Sequence, residues 1–390
     1  MPRAQSPGLA GLSFVNPHHT GEGSALGRHY AEIAAQRPEP LGPARSASLD
    51  SLPVEIAGAG RLMDLPEFVT STATTSLVVL VGDEVVLEWY ADGLGRDDLF
   101  LGASMTKSVL AGLVGRAVRA GVLSLDDLVT DHVPELQGSG YRGVTLRQVA
   151  AMTSGLDWVE DHRDPESQAS RLLGCFAGGT GGSREFLTTL APRFEPGTQY
   201  AYCTADSQVL DWARERATGQ SFERALGEWW RDLGCVHDAV VSLDAPVGEG
   251  VAMAGGGLAA TARDWARFGL LQVDGTLAGT RWLEESWVTE SSRPAAEFTR
   301  PGRLPSSLTT HAGFGLHWWP MDDAGDQVSA DGSRGQFTYV DRKRRAVVVK
   351  TSQWAYDEAT DRQCRDLSYL ALPKIAQAAV SGVGLSKGSS

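Results

Sequence analysis

The sequence has few cysteines, and they are not spaced like a disulfide framework or a zinc site. Cys175, Cys203, Cys235 and Cys364 lie far apart, and no C-x-x-C pair occurs. A chain of 390 residues gains little from disulfides, so free thiols in a reducing compartment are expected. The eight histidines include no H-E-x-x-H motif. We therefore expect neither a metal site nor a cofactor.

Basic charge and long apolar runs are also scarce. The net charge is −13 and the pI is near 5.1, which disfavours nucleic acid or an anionic membrane as a partner. No run approaches 18 apolar residues, so no transmembrane helix is expected. The first residues lack the apolar core of a secretory signal, which predicts a cytoplasmic location. The composition leaves the oligomeric state open, a homodimer included.

Lysine is rare too, with five in the whole chain, and one of them follows a serine by three positions. Ser104 and Lys107 stand where a polar stretch becomes an apolar-periodic one. Positions i and i+3 share a face of a helix, so the amine can lie against the hydroxyl. A dry, partly neutral amine can then take the serine proton and create an acyl-transfer nucleophile. The alternative is an ordinary helix start, with Ser104 as N-cap and Lys107 in solvent.

The order of elements predicts an α+β fold. Two β-rich runs, 76–81 and 85–90, flank a short turn and predict a hairpin. Apolar spacing predicts a helix from Ser104 to about Gly121. Further helices are predicted at 145–152, 205–218, 221–233 and from 261, then strands at 313–319, 335–341 and 346–351, and a last helix at about 361–380. Residues 157–184 are predicted to form a long surface loop.

Strands from both chain ends therefore form an antiparallel sheet flanked by helices, with a mostly helical inserted domain. We predict a loosely ordered N-terminal arm at 1–55. The sheet domain combines 56–125 with 300–382, the helical domain covers 126–299, and 383–390 form a disordered tail.

Two further segments carry residues suited to this chemistry. Tyr202 follows Pro196-Gly197-Thr198 and precedes a helix; a phenol near an ammonium can act as general base or acid. A buried structural tyrosine is the alternative. In Gly332-Ser333-Arg334-Gly335-Gln336-Phe337, small residues enter a late strand, where backbone N–H groups could bind an oxyanion. A β-turn with a surface arginine is the alternative there.

Together these motifs resemble the β-lactamase-related serine hydrolases, which include class C β-lactamases, D-alanyl-D-alanine peptidases and esterases. The resemblance covers roughly residues 60–380, and it is nearest to the 6-aminohexanoate-dimer hydrolases and their esterase relatives. It implies that Ser104 is the nucleophile and Lys107 its proton partner. Tyr202 would pass protons to the leaving group and to the deacylating water. The N–H groups of Ser104 and Gln336 would form the oxyanion hole.

Three departures from the family pattern bear on the substrate. Thr204 stands where β-lactamases carry asparagine. Ser333-Arg334-Gly335 replaces Lys-Thr-Gly, so a lysine that would meet a substrate carboxylate is missing, and Arg334 is the candidate replacement. His162 stands near the place of a tyrosine that the nylon-oligomer hydrolases use.

We therefore expect hydrolysis of a small ester or amide. A β-lactamase or D-alanyl-D-alanine peptidase is the first alternative, and a catalytically silent binding homologue is the second.

Overall fold

A computed structural model describes residues 12–18, 26–58, 61–299 and 313–387, with side chains to residue 384. The strands are β1 (His29–Ile33), β2 (Ile56–Gly58), β3 (Arg61–Met63), β4 (Thr74–Val81), β5 (Glu84–Tyr90), β6 (Phe100–Leu101), β7 (Ala239–Leu243), β8 (Leu258–Ala260), β9 (Thr276–Leu277), β10 (Thr280–Arg281), β11 (Trp319–Pro320), β12 (Gln327–Gly332), β13 (Gln336–Asp341) and β14 (Ala346–Ser352). The helices are α1 (Leu65–Ser71), α2 (Thr106–Arg119), α3 (Val129–His132), α4 (Leu146–Ala150), α5 (Gln168–Gly178), α6 (Ser183–Thr188), α7 (Thr204–Thr218), α8 (Phe222–Asp232), α9 (Ala262–Asp274), α10 (Glu285–Ser291) and α11 (Glu358–Lys387).

The main sheet joins strands from both ends of the chain. Its order is β11-β12-β13-β14-β4-β5, and every neighbouring pair is antiparallel. The β4–β5 hairpin is the one that the sequence predicts, with its turn at residues 82–83. The prediction of an α+β fold, built on an antiparallel sheet from distant segments, is confirmed.

Both faces of this sheet are covered by helices, because its central strands alternate apolar side chains between two cores. On β4, Val78 and Leu80 enter the larger core, whereas Leu77 and Val79 enter the second core. Helix α9 packs on β13 and β14 on one side, and α11 packs on β4 and β14 on the other. Helix α9 belongs to this sheet layer, although 126–299 is predicted as a separate helical domain.

The segments between β6 and β11 supply most of the remaining helices and also complete a second sheet. Its order is β1-β7-β8-β6. Strand β1 pairs antiparallel with β7 from His29↔Leu243 to Ile33↔Ala239. Phe14 and Leu26 are also buried, at 2% and 1% exposure. The prediction of a loosely ordered arm at 1–55 is therefore wrong for its described residues, 12–18 and 26–55. Strand β1 in this segment pairs with a strand more than 200 residues later in the sequence.

Local spacing predicted several helices well. Helices α2, α7, α8 and α9 lie where the apolar periodicity places them. Helix α4 begins with the predicted cap, because the Thr145 side chain accepts a hydrogen bond from the backbone N–H of Gln148.

Other boundaries differ from the predictions. The predicted loop at 157–184 contains α5 and the start of α6, and α11 continues to Lys387 through the predicted tail. The predicted strand at 313–319 is only β11, at its end. Residues 300–312 lie outside the described residues. Across the described ranges, no helix is long and apolar enough to span a bilayer.

Replacing Ile33 with alanine should lower the free energy of unfolding by about 2–5 kcal/mol, because a buried aliphatic side chain leaves a cavity. Ile33 is 2% exposed and lies in the larger core. Glu32→Ala on the same strand is the matched control, since that side chain is exposed. Urea unfolding of the two variants tests the contribution of β1. Equal midpoints for Ile33→Ala and wild type would show that the strand adds no stability.

Candidate active site

Ser104 lies in a short 3₁₀ turn, Ala103–Met105, that runs directly into α2. Ala103 has a φ of 45°, in the left-handed region that non-glycine residues rarely adopt. The backbone N–H of Gly102 donates to the carbonyl of Leu258 at 2.9 Å. A Cβ on Gly102 would lie 2.3 Å from the Trp265 ring, so only glycine fits there. Strand β8 and helix α9 thus hold this nucleophile turn in place.

Lys107 lies one helical turn beyond Ser104 and is only 2% exposed. Its Nζ is 3.1 Å from Ser104 Oγ, 3.1 Å from Thr204 Oγ1 and 2.5 Å from the carbonyl oxygen of Gly255. The structure therefore places the amine against the serine hydroxyl, as the spacing predicts. The alternative of a solvated lysine behind an N-cap serine is wrong, because Lys107 is buried and Met105 occupies the N-cap position.

Tyr202 lies beside the same amine, just before α7. Lys107 Nζ is 5.2 Å from the centroid of the Tyr202 ring. The ring stacks on Trp319 at 5.7 Å and meets Phe314 edge-on at 6.0 Å. Tyr200 packs against the same two aromatic side chains. The aromatic cluster therefore fixes the Tyr202 ring next to Lys107.

Glu160 is a member of this site that the sequence reasoning missed. Its carboxylate accepts hydrogen bonds from Thr204 Oγ1 at 2.5 Å, from Thr204 N at 2.9 Å and from the Trp158 indole at 2.6 Å. His162 Nε2 lies 3.3 Å from Glu160 Oε1. Burial disfavours the charged carboxylate, yet His162, Lys107 and Thr204 together lower the pKa of Glu160 to about 2.

The alternation Trp158-x-Glu160-x-His162 could have pointed to Glu160. In an extended segment, alternate side chains lie on one side of the chain. The prediction of a long irregular loop at 157–184 hid that period of two.

The 332–336 segment contributes to the site mainly through its first residues. A Cβ on Gly332 would lie 2.0 Å from the carbonyl oxygen of Gly102, so the β12 end packs directly on the nucleophile turn. Ser333 lines the cavity described below, together with Glu160. The Gln336 side chain instead donates to the carbonyls of Arg334 and Ser352, at 3.1 and 2.7 Å, and braces the turn.

Arg334 has different neighbours from those expected of a substrate-binding cation. It has a φ of 61° and is 6% exposed. Its guanidinium donates to the carbonyls of Trp354 and Leu12, at 2.8 and 2.5 Å. These contacts tie the N-terminal segment to the sheet. They give no support to Arg334 as the replacement for the missing lysine.

A cavity of about 300 Å³ lies between the Glu160 segment, the end of β12 and the start of α11. Aromatic side chains and charges of both signs line it: Glu160, Asp161, Arg163, Asp331, Gly332, Ser333, Phe337, Trp354, Tyr356, Asp357, Glu358, Asp361, Arg362, Arg365 and Tyr369. Glu160 and Gly332 connect this cavity to the nucleophile turn. Among the described residues, no cluster of three or more histidine, cysteine or acidic side chains is arranged to hold a metal ion.

The fold and this serine–lysine pair define a family. A family model described as Beta-lactamase matches residues 66–372, which is most of the chain. The chain belongs to that family, and the prediction of a serine hydrolase of the β-lactamase-related group is confirmed at that level.

Relatives found by sequence include the two described here. The chain is 33% identical over 348 residues to 6-aminohexanoate-dimer hydrolase of Paenarthrobacter ureafaciens, covering 87% of this chain and 86% of the relative. It is 26% identical over 155 residues to a β-lactamase of Escherichia coli strain K12, over 38% of each chain.

Solved structures agree on the fold. One from Bacillus anthracis, provisionally assigned as a 6-aminohexanoate-dimer hydrolase, has a TM-score of 0.73 at 20% identity and covers 92% of this chain and 91% of its own. The hydrolase EstCE1, described as having promiscuous acyltransferase activity, has a TM-score of 0.60 at 16% identity, covering 78% and 98%.

Asp206 supports the site from the first turn of α7. It is fully buried, and Tyr141 Oη donates to Oδ1 at 3.0 Å. Burial raises the pKa of this carboxyl to about 7, and hydrogen bonds from Ser154 and Tyr141 offset the rise only in part. Between pH 4 and 7 the folded state therefore holds a proton that the unfolded state has released. Stability contributed by Asp206 falls as the pH rises through that range.

Asp206→Asn should remove this pH dependence. The variant should gain stability relative to wild type as the pH rises from about 4 to 7, by at most about 1.4 kcal/mol per pH unit. The measurement is the denaturant midpoint between pH 4.5 and 8.5. Asp83→Asn, at an exposed turn position, is the control and should follow wild type. A stability difference between Asp206→Asn and wild type that is constant with pH would contradict the assignment.

Proposed function

We propose that the chain hydrolyses a small ester or amide through an acyl-enzyme on Ser104. The observation that carries the proposal is the 3.1 Å contact between Ser104 Oγ and the buried Nζ of Lys107. A serine alcohol is a weak nucleophile unless a neighbouring base removes its proton. Lys107 is a neighbouring group in reach of that proton.

The proposed reaction has two halves. Ser104 Oγ attacks the substrate carbonyl carbon while its proton passes to the neutral amine of Lys107. The bond to the leaving group then breaks, and the departing alcohol or amine takes a proton through Tyr202. Water attacks the acyl-enzyme, loses its proton to the same groups, and releases the acid with Ser104 restored.

The developing oxyanion needs backbone N–H donors. The family pattern supplies the N–H groups of Ser104 and Gln336 for this role. Ser333 follows Gly332, which packs on Gly102 of the nucleophile turn, so the backbone N–H of Ser333 is a further candidate for this role. No metal or cofactor takes part in this scheme.

The substrate class we favour is a small amide or ester with charged ends. The relative at 33% identity is named 6-aminohexanoate-dimer hydrolase, and 6-aminohexanoate itself carries an amine and a carboxylate. The cavity lined by Glu160, Gly332 and Ser333 is small. It also carries side chains of both signs, including Arg163, Arg362 and Asp361. Such a lining suits a short, charged, flexible chain. The cytoplasmic location and the homodimer stay predictions from the sequence.

β-Lactam hydrolysis is the second candidate, favoured by the family match. The Lys-Thr-Gly lysine is missing, and the Arg334 guanidinium lies against Trp354 and Leu12. We therefore expect nitrocefin to be turned over much more slowly than p-nitrophenyl acetate. Nitrocefin turnover equal to ester turnover would favour the β-lactamase assignment.

Ser104→Ala should lose labelling by a fluorophosphonate probe and reduce hydrolysis of p-nitrophenyl acetate at least about 10³-fold, because the attacking oxygen is gone. Ser108→Ala is the matched control, because Ser108 lies on the same helix and its hydroxyl donates to the His317 carbonyl. Wild type that neither labels nor turns over would overturn the proposed function. It would favour a binding homologue instead.

A further inference from the structure

A chain of hydrogen bonds links Ser104 to the carboxylate of Glu160, with Lys107 and Thr204 between them. Ser104 contacts Lys107, Lys107 contacts Thr204, and Thr204 contacts Glu160. Thr204 and Lys107 are each no more than 4% exposed, and the Glu160 side chain is 15% exposed. Solvent therefore has little access to the inner part of the chain.

We propose that Glu160 is a positioning residue that acts through Thr204 to aim the Lys107 amine at Ser104; this rests on the proposed function. The Thr204 hydroxyl has a single proton. Thr204 Oγ1 donates that proton in a hydrogen bond to Glu160 Oε1, with the two oxygens 2.5 Å apart. The lone pairs of Thr204 Oγ1 therefore face Lys107. The carboxylate thereby fixes Thr204 as an acceptor toward the amine.

Lys107 has two hydrogen-bond acceptors besides Ser104, which is the number that a neutral amine acting as a general base can use. A neutral lysine amine has two N–H groups and one lone pair. The two N–H groups can donate to Thr204 Oγ1 and to the Gly255 carbonyl oxygen, which lie 3.1 and 2.5 Å from Nζ. The lone pair is then left for the proton of Ser104 Oγ, at 3.1 Å. A Thr204 hydroxyl free to rotate would offer its own proton to that lone pair and compete with Ser104.

Glu160 is itself held rigidly. Its two oxygens accept from the Thr204 backbone N–H and the Trp158 indole as well as from the Thr204 hydroxyl. A glutamine could accept at only one oxygen and would turn its NH₂ group toward one of these donors. His162 lies beside the same carboxylate and offsets its charge when protonated.

Glu160 and Lys107 also interact electrostatically, since the nearby Lys107 amine helps to lower the pKa of Glu160. The pH profile of acylation therefore reports on the link between the two residues. Other ionisable groups lie near these two residues; they are Tyr202, His162, Asp206 and His317. His317 stays neutral above pH 4, because burial lowers the pKa of its imidazole to about 3.

The test is the acylation rate of Glu160→Gln, measured as the burst of p-nitrophenol from p-nitrophenyl acetate between pH 5 and 9. We expect the plateau rate to fall at least about tenfold, in line with partial loss of general base catalysis. The acid limb should move to lower pH. Asp157→Asn is the control, since that side chain is 52% exposed and pairs with Arg193. It should keep the wild-type profile.

Thr204 variants test the route. Thr204→Ser keeps the hydroxyl and should retain most of the rate, whereas Thr204→Val should lose about as much as Glu160→Gln. If Glu160 acts through Thr204, the double variant should be no slower than the worse single variant. Rate losses that add up in the double variant would overturn the inference. So would a Glu160→Gln enzyme whose acid limb does not move and whose rate stays within twofold of wild type.

The two proposals fail in different ways. If wild type shows no burst and no probe labelling, the proposed function fails. If wild type acylates and Glu160→Gln follows it at every pH, only the role of Glu160 fails. Thermal unfolding of each variant shows whether a lost rate comes from a lost fold.

Discussion

The site depends on keeping the amine of Lys107 out of contact with solvent. Lys107 is 2% exposed, and its neighbours come from four separate parts of the chain: α2 itself, the start of α7, the Gly255 loop and the aromatic cluster around Tyr202. Burying a cation is costly unless its hydrogen bonds are satisfied. Thr204 Oγ1 and the Gly255 carbonyl accept hydrogen bonds from the amine and so reduce the free-energy cost of burying it. The amine stays next to Ser104. The helical segments and the sheet are packed so that these four parts meet.

Close packing and a positive φ limit which residues can replace Gly102 and Ala103 in the nucleophile turn. Gly102 touches the Trp265 ring on one side, and its carbonyl lies against Gly332 on the other. Ala103 is held at a positive φ between them. The packing of β12 and α9 therefore contributes to the position of Ser104, together with α2. Residues far from the reacting atoms have a direct influence on the geometry of attack.

Local patterns in the sequence were enough to predict the parts of the site that lie within one element. The helical spacing of α2 predicts that Ser104 and Lys107 lie together. Tyr202 was a candidate from its place just before α7, whereas Thr204 was a candidate only through the resemblance to the family. Glu160 was missed because its importance comes from contacts with a residue 44 positions away. Strand β12 was missed for a similar reason: Gln327–Gly332 has little β preference of its own and is buried by its neighbours.

The strand order of the main sheet determines when, during synthesis and folding, the site can be completed. Strands β4 and β5 are made early, but β4 pairs with β14, more than 260 residues later. The nucleophile turn is packed by β12, which also comes late in synthesis. Contacts of such sequence separation form slowly. A nascent chain that has produced Ser104, Lys107 and Tyr202 therefore lacks the wall that completes their pocket, and the enzyme gains its activity only when its last quarter has folded back onto its first.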